Sequence, residues 1–149
     1  MSAESPEIPQ VPTIGMILAW LSVGAGILTA LLPILPIVQA SGPPSPLQSV
    51  YFVLLGLTGV VAGIGGLRSS PRSFYALWYV YAVQMFAYTS DSLHFNFMGP
   101  FSLTFGFGDY NPPSFVNINI LAIVACLIAL HTARVIARQS AIAAAATGV

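Results

Sequence analysis

The sequence predicts an all-α, polytopic integral membrane protein, a four-transmembrane-helix bundle with an aromatic outer loop between helices 3 and 4. Three observations carry that prediction. First, 56% of the 149 residues are hydrophobic and 5% charged, far from the charged quarter of an ordinary soluble domain, and the mean hydropathy is +0.85. Second, four apolar runs approach or exceed the roughly 20 residues that cross about 30 Å of hydrocarbon. Third, small residues recur within these runs at three- and four-residue spacing, the pattern that lets membrane helices approach closely. The four arginines, with no lysine, balance Glu4, Glu7, Asp91 and Asp109. That leaves no basic patch and excludes nucleic-acid binding.

The whole chain reads as one membrane domain. Residues 1–12 form an acidic, proline-rich tail without the positive n-region of a cleaved signal, so the first apolar run is expected to stay. The first span covers about 13–38, weakened near Leu32 by Pro33 and Pro36. Ala19, Ser22, Gly26 and Ala30 share one of its faces. A turn-rich, uncharged loop leads to the second span, 47–67, where Gly56, Gly59, Gly63 and Gly66 form a second close-packing face. Arg68 and Arg72 lie in the short loop that follows.

The third span, about 74–90, is the shortest and carries Tyr75, Trp78 and Tyr79 near one end and Tyr88 near the other, as an aromatic belt would. Gln84 is the only amide deep in a span and is expected to bond across to a neighbouring helix. Residues 91–115 form the outer loop, with phenylalanines at 95, 97, 101, 105, 107 and 115. So aromatic a loop predicts contact with the membrane surface or another subunit, and LTFGFG within it is compatible with a short strand or hairpin. Ser114 is positioned to cap the fourth span, 116–138. There Ala125, Ala129, Ala133 and Ala137 draw a ridge at every fourth residue, and a tail of 139–149 completes the chain.

Few residues offer chemistry. Cys126, the single cysteine, reads as a small core residue, because no CxxC accompanies it. His131 is the one candidate cofactor ligand, an imidazole suited to the metal of a tetrapyrrole, with an interfacial role as the plainer alternative. Asp91 and His94 would meet on a helical turn near Asp109, but three scattered polar residues lack the ligand spacing of a metal site, and no metal is expected. No nucleophile triad, Walker A, HExxH or GxGxxG motif is present, and no span has a charge at its centre. Catalytic residues are therefore not assigned, and the chain is not expected to be an enzyme.

All four arginines fall on the side of the second loop and the C-terminal tail. The positive-inside rule then predicts cytoplasmic N- and C-termini, in a bacterial cytoplasmic membrane. Arg68, Arg72, Arg134 and Arg138 are expected to meet lipid headgroups or a partner. The expected function is that of a non-catalytic accessory or structural subunit of a larger membrane complex, an energy-converting (respiratory or photosynthetic) complex being one such host. The motive is that the small-residue faces exceed what one bundle needs, the outer loop needs cover, and catalytic groups are missing. The alternative is a binder of a tetrapyrrole, quinone or lipid using His131 and the aromatic third helix. A small channel or transporter, resting on Gln84 and the glycine helix, is the third reading.

Overall fold

The computed structural model describes residues 10–36, 45–90, 94–96, 99–110 and 113–147. Helix α1 spans Thr13–Leu31 and ends in a 3-10 turn, Leu32–Ile34. Helix α2 spans Pro46–Leu67, α3 Pro71–Val83 and α4 Ile120–Thr147. Between α3 and α4 lie strands β1 (Phe86–Ser90), β2 (His94–Asn96), β3 (Thr104–Tyr110) and β4 (Pro113–Asn119). Among the described residues, three stretches are long and apolar enough to cross a membrane: Thr13–Ile34, Pro46–Leu67 and Ile120–Ala145.

Local chemistry accounts for the boundaries. Pro33 removes a backbone donor just past α1, where the sequence predicts weakening, and the chain tightens there into the 3-10 turn. Ser45 opens α2 with a capping box. Its Oγ accepts from the Gln48 N–H at 3.2 Å and the Gln48 side chain accepts from the Ser45 N–H at 3.0 Å, with Pro46 at the first helical position. At the other end the chain turns through Ser69, which adopts φ 59°. The N–H groups of Ser69 and Ser70 close back onto the carbonyls of Gly66 and Gly65. Pro71 then starts α3 immediately.

The third span departs from expectation. Where the sequence predicts a helix over 74–90, α3 stops at Val83 and residues 86–90 form a strand. FAYTS is rich in aromatic and β-branched residues, and its partner β4, SFVNI, is too, so ladder pairing displaces the helix. The fourth span is shifted for the same reason. Residues 116–119 belong to β4, the helix begins at Ile120, and the expected tail is helical as far as Thr147. The loop 91–115 thus holds most of a four-stranded antiparallel sheet, in the order β2-β1-β4-β3. The observed architecture is three helices of spanning length, a shorter helix and this sheet. The last two residues of the expected first span, 37–38, and the loop that follows them as far as 44 lie outside the described residues.

The small-residue faces are used within the chain. Helices α1 and α2 form an antiparallel hairpin in which Ala19, Ser22 and Gly26 are buried against Gly56, Gly59, Gly63 and Gly66, with Ala30 half-buried at the end of the row. Ala125, Ala129 and Ala133 of α4 are buried with Phe74 and Leu77 of α3 in the core. Ala137 is exposed and leaves the ridge. The faces that suggested surplus contact surface therefore build this fold, which removes one motive for an external partner. The sheet leaves Phe86, Phe105, Phe107 and Val116 exposed, with Leu103 exposed just ahead of β3.

Candidate functional site

The sequence offers His131 as its site, but the structure draws attention elsewhere. α1 and α2 pack closely, as do α3 and α4, whereas α1 and α4 touch less. Between them, roofed by Gly99, Pro100 and Phe101 and open at the side past the exposed Leu21, Leu121 and Val124, lies a cavity of about 240 Å³. Most of its wall is aliphatic, from residues such as Leu18, Leu55, Ala125 and Ile128.

Polar atoms reach it at two levels. At the deeper level Ser22 of α1 meets Tyr81 of α3, with Oγ and Oη 2.9 Å apart. Ser22 also donates to the Leu18 carbonyl at 2.7 Å, the i−4 bond by which a serine satisfies itself within an apolar helix. Seven residues further along α1, about 10 Å at 1.5 Å per residue, Thr29 makes the equivalent bond to the Ala25 carbonyl at 2.7 Å. There the roof is tied down. The Gly99 N–H donates to Gln84 Oε1 at 3.2 Å. The Leu103 and Ala122 N–H groups both donate to Asn119 Oδ1 at 3.3 Å.

Each of these side chains has a local reason to be there. Gln84 is the first residue past α3, where the chain leaves the helix for β1, so its amide reaches the roof segment and not another helix as expected. Asn119 is the last residue of β4, and its side chain caps the first turn of α4. Ser114, expected to do this, lies instead within β4 and contacts the Tyr88 hydroxyl at 3.3 Å. Gly99 leaves room for the roof: a Cβ there would stand 2.5 Å from Gln84 Oε1.

The sequence-predicted candidates are not gathered here. His131 lies exposed on α4 and is not a cavity residue. Cys126 is buried and places its Sγ 3.4 Å from the Trp78 carbonyl, a packing position between α3 and α4. Arg68, Arg72, Arg134 and Arg138 are all exposed, at the end of the molecule where α2 turns into α3. His94 belongs to a strand and not to the helical turn expected of it, and Asp91, with the expected pair, lies outside the described residues. Among the described residues no group of three His, Cys, Asp or Glu side chains could hold a metal.

Ser22, Tyr81 and Thr29 were missed as a set because the sequence does not say that α1 faces α3. The available signal was the position of Ser22 and Thr29 seven residues apart, two helical turns along one face. No protein-family model, curated protein or solved structure matches the chain.

Proposed function

We propose that this chain is a non-catalytic membrane protein that holds a small amphiphilic molecule, a ring or a short acyl segment with a polar end, in the cavity between α1, α3 and α4. The observation that carries the reading is the cavity itself, apolar along its length with polar oxygens at two levels about 10 Å apart. The lining supplies, among the described residues, no carboxylate, imidazole or amine, which favours binding over acid–base chemistry. The ligand class is that of the lipid and quinone alternative, with Tyr81 and Gln84 in place of His131. Native mass spectrometry of protein released from mild detergent tests it. A retained small molecule that disappears in Ala25→Phe, whose ring fills the cavity, supports the reading. An empty wild-type protein that also gains no thermal stability from a panel of amphiphiles refutes it.

A second reading, a subunit of a larger membrane complex, is favoured by the sheet. β3 is an edge strand, and it carries Phe105 and Phe107 at 60% and 62% exposure. An uncovered edge with apolar side chains invites a partner strand or helix. A monodisperse monomer from mild detergent, with nothing bound in stoichiometric amount, would remove this reading.

For orientation we adopt the arginine end as cytoplasmic, with both chain ends on that side of a bacterial inner membrane. The arginines would meet lipid phosphates there. Single cysteines at position 10 and position 147, in a Cys126→Ala background, should resist an impermeant maleimide in intact cells, and labelling of either would reverse the orientation.

A further inference from the structure

The cavity's hydrogen bonds are asymmetric, and the asymmetry specifies a ligand. A serine hydroxyl has one proton, and that of Ser22 is given to the Leu18 carbonyl at 2.7 Å. The 2.9 Å contact between Ser22 and Tyr81 must therefore be donated by the Tyr81 O–H, with Ser22 Oγ accepting. Thr29 has likewise given its proton to the Ala25 carbonyl. Every hydroxyl proton at these two levels is thus directed into the protein, and what remains on the deep wall is lone pairs, those of the Tyr81 oxygen and one on Ser22 Oγ, whereas the roof keeps the carboxamide N–H groups of Gln84 and Asn119 as donors. A group that only accepts hydrogen bonds, such as a ketone, ester or ether, finds no donor at that level. A group that donates finds an acceptor already polarised by its own bond to Ser22.

We infer that the deep end of the cavity selects an amphiphile whose buried polar group donates a hydrogen bond, an alcohol or phenol, and that this hydroxyl is received by the Tyr81 oxygen beside Ser22. This rests on the cavity being a binding site and adds the chemical sense of its deep end. A fatty or polycyclic alcohol or a quinol satisfies it, and the corresponding ketone or quinone does not, finding donors only at the roof, on the Gln84 and Asn119 amides.

Two probes of nearly equal shape separate these cases: 4-butylphenol, which donates, and 4-butylanisole, its methyl ether, which cannot. Binding to the detergent-purified protein is followed through the methyl NMR signals of Leu18, Ala125 and Ile128, which line the cavity. Concentrations are expressed as mole fraction of the detergent phase, so that partitioning cancels. The wild type should bind the phenol about five- to tenfold more tightly, the range a single well-made hydrogen bond gives. Ser22→Ala releases the Tyr81 proton towards the cavity, and the preference should then fall to about twofold or less. A role confined to packing would leave that ratio unchanged. Equal binding of the two probes by the wild type, or preference for the ether, overturns the inference while leaving the cavity a binding site. Binding of neither overturns both. The wild-type comparison decides the question even if the variant does not fold.

Discussion

Gly26 and Gly56 meet backbone to backbone. A Cβ on Gly26 would stand 2.6 Å from the Gly56 carbonyl oxygen, and one on Gly56 would stand 2.5 Å from both the Gly26 oxygen and the Ala30 nitrogen. These neighbours are main-chain atoms that cannot swing aside, so the α1–α2 hairpin needs hydrogen at both positions. Gly56→Ala should lower stability by about 1–3 kcal/mol, the usual cost of overpacking. Gly24, two residues from Gly26, has nothing within 4 Å of the place a Cβ would take. Gly24→Ala should therefore change stability by no more than about 0.5 kcal/mol. Denaturation in mixed micelles compares the two, and equal effects would show that the hairpin is not packed through this contact.

Gly15 and Thr132 make the corresponding contact between α1 and α4. A Cβ on Gly15 would lie 2.5 Å from Thr132 Cγ2. Thr132 is fully buried, and its Oγ1 has no hydrogen-bond partner among the described residues. Thr132→Val, which keeps the shape and removes the unmet hydroxyl, should leave stability unchanged or raise it by about 1 kcal/mol. Gly15→Ala should be destabilising alone and largely restored when combined with Thr132→Ala. A coupling energy below about 0.5 kcal/mol in that cycle would show the two positions to be independent.

Asn119 joins three elements through one oxygen, accepting from Ala122 in α4 and from Leu103 ahead of β3 while ending β4. Asn119→Ala removes a helix cap and should cost about 0.5–2 kcal/mol. The loss should be visible as faster hydrogen exchange at the Leu103 and Ala122 amides, with the Ser45 and Ser49 amides at the start of α2 unaffected. Uniform acceleration across all helices would mean that the residue supports global stability and not this junction.

Phe105 should contact acyl chains when the chain is reconstituted alone. Twelve residues separate Arg68 from Gly56 in α2, and twelve separate Arg134 from Ala122 in α4. Each interval is about 18 Å of helix, within the roughly 30 Å of hydrocarbon that begins near the arginines. Phe105 pairs with Ile118, one residue from Asn119 at the cavity roof, and therefore lies at about that depth. The emission of Phe105→Trp should be quenched by lipids brominated on the acyl chain, as should that of Trp20 on the exposed face of α1. Red-shifted, unquenched emission at position 105 would place the sheet in water.

Membrane class, three of the four expected spans and most of the residues through which they pack are written in the linear chain. They follow from composition and from period, which a linear pattern records directly. Ala19, Gly26, Gly56, Gly63 and Ala129 could be assigned to contact faces because small residues at three- and four-residue spacing have one geometric meaning on a helix. The capping box at Ser45 is equally legible in its S-P-L-Q pattern, two residues ahead of the expected start of the second span at 47.

Where the third helix stops, and what lies between the bundle's helices, depends instead on contacts between distant segments. FAYTS and SFVNI are apolar enough for a helix, and they become strands because each finds the other as an antiparallel partner, Phe86 against Ile118 and Ser90 against Ser114. That choice ends α3 at Val83, frees Gln84 to hold the roof at Gly99, and sets Asn119 at the head of α4. The cavity has the same origin. Ser22 and Tyr81 are 59 residues apart, and neither looks unusual in its own helix. Their pairing requires α1 and α3 to run side by side while α1 and α4 stay apart, a relationship of three helices that no periodicity within one of them encodes.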